Sequence, residues 1–108
     1  MSYNVQLSEN FKKEAKRLKK KFPSLKAELI SLVEQLEKDP TLGIPLGNGI
    51  FKIRLAIASK NKGKSGGARV LSFVKVEETS VLLFSIFDKS EKENLSEKEI
   101  KLLIKDYM

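Results

Sequence analysis

The chain is 108 residues long and 41% hydrophobic, enough for one folded domain, expected to span residues 1–108; its 21 Lys and Arg against 14 Asp and Glu leave a net charge of +7. It contains no Cys and no His, which excludes disulfides and thiolate metal sites and removes the commonest general base at neutral pH. The opening Met1-Ser2-Tyr3-Asn4 has no signal-peptide character, and no apolar run approaches the roughly 18 residues of a membrane span, so the expectation is a soluble cytoplasmic protein with no membrane partner.

Tyr3 to Leu7 is short and alternating, a first strand. Ser8 is placed to cap the helix that follows, where Phe11, Ala15, Leu18 and Phe22 share one face. Lys12, Lys13, Lys16, Lys19 and Lys20 crowd the other face. Pro23 ends that helix and Ser24 is placed to cap a second. There Leu25, Leu29, Leu32 and Leu36 form the stripe, widened by Ile30 and Val33. Asp39-Pro40 stops it, and residues 40–49 read as a turn-rich loop.

Period two then takes over. Phe51, Ile53, Leu55 and Ile57 point one way, with Lys52, Arg54, Ala56 and Ala58 opposite. A polar loop over 59–67 leads to a strand over 68–76. After a turn, Val81 to Phe87 is apolar on both faces, hence an interior strand. Ser90-x-x-Glu93 and Ser96-x-x-Glu99 both match a capping box, and the second opens a last helix. Its Ile100, Leu103, Ile104 and Tyr107 face the core or a partner. The expected fold is α+β, in the order β-α-α-β-β-β-α, with the helices grouped on one face of an antiparallel sheet.

Charge is distributed unevenly along this order. From Pro40 to Val76 there are seven basic residues and no carboxylate: Lys52, Arg54, Lys60, Lys62, Lys64, Arg69 and Lys75. A folded surface normally mixes its charges, so this segment points to an anionic partner, with nucleic acid the foremost candidate. Lys52 and Arg54 share a strand face, and Arg69 in the next strand lies near them if the two strands pair. The alternative for the pair is a solvated outer face. Gly63-Lys64-Ser65 resembles the end of a phosphate-binding P-loop, but Ala58 stands where that motif needs Gly and a strand follows where it needs a helix. What remains is a basic loop in which Lys60, Lys62 and Lys64 contact RNA phosphates, or a hairpin loop kept soluble by its lysines. Lys89 follows the interior strand and either converges on the cluster or pairs with Asp88 or Glu93. With no acid in this segment, neither a metal nor another cofactor is expected.

The element order, with Phe11-Lys12-Lys13, the Leu-rich hairpin, Lys52-Ile53-Arg54, Lys64-Ser65-Gly66-Gly67-Ala68-Arg69-Val70 and Lys89-Ser90-Glu91-Lys92-Glu93-Asn94-Leu95, resembles the RelE/ParE toxin superfamily over nearly the whole chain. The likeness is nearest to RelE and HigB-like members. It implies a ribosome-dependent mRNA endoribonuclease of a toxin–antitoxin module, with a cognate antitoxin, the ribosome and mRNA as partners and no small-molecule cofactor. It implies a metal-independent reaction in which an RNA 2′-OH attacks the adjacent phosphate. By match to the family pattern, Lys52, Arg54, Arg69 and Lys89 take the catalytic positions. Crowded cations suit that role, since like charge favours a neutral lysine that can accept a proton. The chain departs from the pattern at Ser90, where a second basic residue is frequent, and at Leu95 and Ser96, where a Tyr is frequent. Base stacking then falls to Phe87 or is absent. The same superfamily holds ParE-like gyrase poisons, which generally lack the basic cluster, and a catalytically inactive RNA- or partner-binding domain is the other alternative.

Overall fold

The computed structural model describes residues 2–60 and 67–108, with the backbone alone at Lys60. The chain runs β1 (Asn4–Leu7), α1 (Glu9–Lys21), α2 (Leu25–Lys38), β2 (Ile44–Gly47), β3 (Ile50–Leu55), β4 (Ala68–Lys75), β5 (Ser80–Asp88) and α3 (Glu97–Ile104). Ser8 caps α1 as its spacing predicts, its Oγ accepting from the Phe11 amide at 3.1 Å. Ser24 begins α2 without a side-chain cap. Its hydroxyl instead meets the Ser59 hydroxyl at 2.8 Å and donates to Glu28 Oε1 at 3.2 Å. Among the described residues no helix is long and apolar enough to cross a membrane.

The sheet order is β1-β5-β4-β3-β2. β3, β4 and β5 pair antiparallel as expected and β2 adds an antiparallel edge, whereas β1 joins β5 in parallel, from Asn4↔Ser80 to Leu7↔Leu83. The connection that a parallel pair requires is the whole stretch from α1 through α2 to β4. β5 is buried along its whole length, in keeping with its doubly apolar sequence.

Two cores flank this sheet. On one side Phe11, Leu18, Leu25, Leu32 and Leu36 of the hairpin pack on Ile53, Val70, Val81, Leu83 and Ile86. On the other, Ile104 of α3 packs on Ile50, Leu71, Leu82, Phe84 and Phe87. The helices are therefore split between the two faces, with α3 opposite the hairpin. Ile100, Leu103 and Tyr107 turn to this second core. β5 makes the split necessary: a strand apolar on both sides exposes one face to water unless something covers it.

Three local expectations are corrected. Residues 44–47 are a strand, because Asn48 (φ 55°) and Gly49 (φ 80°) make a two-residue hairpin turn with positive φ at both positions. Ile30 lies outside the core and is exposed. Ser90 opens no helix; its hydroxyl and amide both donate to Asp88 Oδ1, at 2.8 and 3.0 Å, which closes a turn instead.

Candidate nucleic-acid interface

The face covered in part by α3 also carries the basic cluster. β3 alternates, so Lys52 and Arg54 stand on the side opposite Ile53 and Leu55. Antiparallel pairing sets Arg54 directly across from Arg69, and Arg69 across from Phe87. Directly paired side chains start about 5 Å apart at Cβ. Two guanidiniums thus rise side by side from neighbouring strands. Arg54 is exposed, while Arg69 is only 4% exposed. Burial first, and the nearby Arg54 second, push the Arg69 pKa below the ordinary arginine value. Arg69 Nη1 donates to the Ala68 carbonyl at 3.1 Å, which orients its fork.

Gly67 permits this arrangement. A Cβ there would collide with the Leu55 carbonyl oxygen, so only glycine lets β4 begin against β3. The Gly67 carbonyl then accepts from the Lys89 amide at 3.1 Å and ties the end of β5 to the start of β4. That bond brings the Lys89 backbone to the corner where β4 and Arg69 begin.

The segment after β5 closes over this face. Asp88, 1% exposed, holds Ser90 through Oδ1 and accepts from the Glu91 and Lys92 amides through its carbonyl, at 3.0 and 3.1 Å. Arg17 of α1 donates to Glu91 at 2.8 Å, and that bond holds the Glu91 carboxyl below its usual range. Lys92 Nζ stands 5.9 Å from the Phe87 ring centroid. Farther along, Asn94 Oδ1 accepts from Lys52 Nζ at 2.9 Å.

Of the sequence-predicted residues, Lys52, Arg54, Arg69 and the Lys89 backbone converge. Lys62 and Lys64 lie outside the described residues, as does the Lys60 side chain. Phe87 is a correction: at 4% exposure it is part of the second core, with an ammonium above its ring, and offers no open face for a base. Sequence reasoning missed Asp88, Lys92 and Asn94. The Asp-x-Ser spacing of Asp88 and Ser90 was the available signal, since it favours a side-chain-closed turn. Among the described residues, no group of three His, Cys, Asp or Glu is placed to hold a metal ion.

The arrangement can bind a phosphate. An anion over Arg54 and Arg69 would meet two planar donor forks, with Lys52 two residues along the same strand.

Comparison with known proteins agrees with this architecture. The chain is similar in structure to a double-alanine variant of the E. coli toxin RelE in the free state, with a TM-score of 0.67, 17% identity and 100% coverage of both chains. It is also similar to a chain of the Mycobacterium tuberculosis toxin–antitoxin complex RelBE2, with a TM-score of 0.62, 20% identity and coverage of 82% of this chain and 99% of that one. At such identities these likenesses speak to the fold. No curated protein matches by sequence. A family model described as the RelE toxin of the RelE/RelB toxin–antitoxin system matches residues 5–106. With nearly its whole length matched, the chain belongs to the RelE toxin family.

Proposed function

We propose that this protein is a toxin that cleaves mRNA on the ribosome and is neutralised by a cognate antitoxin. The observation that carries the reading is the Arg54–Arg69 register pair, flanked by Lys52 and free of carboxylates along β3 and β4. In the proposed reaction a 2′-OH attacks the neighbouring phosphorus. One of Lys52 and Lys89 takes its proton, the phosphorane charge is held by Arg54 and Arg69, and the other lysine gives a proton to the 5′ oxygen, which leaves as an alcohol. The products are a 2′,3′-cyclic phosphate and a 5′-OH, and side-chain cations supply the charge stabilisation.

The antitoxin seat in this reading is the groove between α1 and α2. It encloses about 420 Å³ over Phe11, Ala15, Leu29 and Val33, with Lys12, Lys19 and Lys26, and also Glu34 and Glu37, among its charged lining. An amphipathic segment with acidic flanks would match it. The similar M. tuberculosis chain comes from a toxin–antitoxin complex, which supports an antitoxin partner.

The test is inducible expression of the wild type and of Arg69→Ala, with amino-acid incorporation and 5′-end mapping on a reporter mRNA. The expected result is rapid arrest with new cuts inside the reading frame, both lost in a folded Arg69→Ala protein. Arrest without cuts would replace this reading with a binding poison.

A further inference from the structure

We infer that Glu14 is a positioning residue of the basic face: it holds a bulge in β5, and the bulge keeps the Asp88 carboxylate on the other side of the sheet. The inference rests on the RNA-binding reading above and adds to it a residue of α1, the helix on the side away from the cluster.

β4 and β5 are not in simple register. They pair from Lys75↔Ser80 to Ser72↔Leu83, then from Leu71↔Ser85 to Ala68↔Asp88, and Phe84 is passed over. The side chains record the same step. Val81 and Leu83 lie in the hairpin-side core, two residues apart, but the next member is Ile86. Leu82 and Phe84 lie in the second core, and the next member is Phe87. An extra residue of this kind reverses the phase of everything that follows it.

Polar side chains at the start of α1 hold the extra residue. β1 ends at Leu7, opposite Leu83, and beyond that point α1 rather than a strand meets the outer edge of β5. The Phe84 carbonyl accepts from Asn10 Nδ2 at 2.9 Å and from Ser8 Oγ at 3.4 Å. Glu14 Oε1 accepts from the Ile86 amide at 3.2 Å, from Ser85 Oγ at 3.0 Å and from Asn10 Nδ2 at 2.8 Å. One carboxylate oxygen thus ties the two residues after the bulge to the side chain that holds the bulge itself. Ser85 and Ile86 are buried, so their donors have no water to turn to once that oxygen is gone.

The phase decides the side taken by Asp88, the one carboxylate on β3, β4 and β5. In the bulged strand Phe87 shares the face of Arg69, and Asp88 turns to α1, where Lys21 approaches its Oδ2 at 3.8 Å. Without the bulge Arg69 would pair with Ile86. Asp88, two residues on, would then stand on the face of Lys52, Arg54 and Arg69, diagonal to Arg69. A carboxylate there would compete with a phosphate for the same guanidinium forks.

Two readouts on the full chain test this. Cross-strand NMR contacts of Arg69 report the register, and the affinity of a short labelled single-stranded RNA across a salt series reports the charge on the basic face. Glu14→Leu is expected to move the Arg69 contacts from Phe87 to Ile86 and to weaken RNA binding several-fold at low salt. The salt slope should flatten by about 0.7, as the loss of one phosphate contact on a single strand would flatten it. Glu14→Gln keeps the acceptor oxygen and is expected to retain both register and slope. Asp88→Asn is expected to recover the slope in the Glu14→Leu background, which it would not do if Glu14 only held the fold together. Unchanged Arg69 contacts in a folded Glu14→Leu protein, or a binding loss that Asp88→Asn leaves in place, would overturn the inference. If Glu14→Leu does not fold, Asn10→Ala takes its place, with a smaller shift in the same contacts; no shift there overturns the inference equally. Arg69→Ala separates the two levels: if it binds RNA like the wild type, the RNA-binding reading has failed, whatever the register shows.

Discussion

Arg54 and Arg69 face each other across the β3–β4 ladder, one exposed and one buried. No folding requirement calls for two like charges at a directly paired position, and such pairs are destabilising. The arrangement makes sense when an anion completes it. Arg54→Gln should therefore leave stability unchanged or raise it by up to about 1 kcal/mol, the value being limited by solvent at Arg54. Activity should fall on the order of 10²-fold. Urea denaturation beside a cleavage assay reads both. A loss of stability of similar size would mean that Arg54 has a structural role.

Gly67→Ala should be among the most damaging single-methyl changes in the chain. The added Cβ meets the Leu55 carbonyl oxygen, a backbone atom that cannot rotate away. Opening the end of β3–β4 should cost about 2–4 kcal/mol and remove activity with it, because Arg69 and the Lys89 amide are both set by this corner. A thermal shift under a few degrees would refute the assignment.

Ser72 presents the opposite case. Its hydroxyl is fully buried beneath the hairpin and has no hydrogen-bond partner among the described residues. Ser72→Ala removes that uncompensated group and should stabilise the protein by about 1 kcal/mol. Denaturant midpoints decide it, and a clearly destabilised variant would show that the hydroxyl is satisfied in solution.

The cap of α3 carries a pH dependence. Hydrogen bonds with Ser96 hold the Glu99 carboxyl below its ordinary value of 4.5. A depressed carboxylate stabilises the fold above its unfolded pKa, and that contribution is lost as pH falls through the folded value. α3 should therefore loosen from the second core in acid, below about pH 4.5, before the hairpin side does. Hydrogen exchange at Ile100 and Ile104 against pH would follow it. Ser96→Ala should abolish the step and cost about 1 kcal/mol at neutral pH.

Much of this was legible in the sequence, for reasons specific to each element. The hairpin helices declared themselves through Phe11, Ala15, Leu18 and Leu25, Leu32, Leu36, because period 3.6 is a direct record of one buried face. Alternation over 51–57 gave the core and basic faces of β3 correctly. Parallel pairing of β1 was not legible, since the same alternating residues suit either direction. Nor was the side taken by α3, whose apolar stripe fits any apolar surface. The hairpin at Asn48-Gly49 is masked in the sequence, where its two-residue turn signal sits among Pro40, Pro45 and three glycines that read as loop. Phe87 was misjudged for a different reason. An aromatic at a strand end serves a core or a ligand equally well until the covering helix is placed, and here Ile104 settles it.

The pairing of β1 with β5 also bears on when this protein comes into being during synthesis. The first strand to leave a ribosome lies in the sheet only against the last, and Ser8 finds the Phe84 carbonyl 76 residues away. Contacts so distant along the chain close slowly and cannot close before the partner has been made. β5 is also the strand that seats Arg69, Gly67 and the turn of Asp88. The Arg54–Arg69 face is accordingly assembled only after β5 has been made, so Lys52, Arg54 and Arg69 all leave the ribosome before the strand that seats them exists.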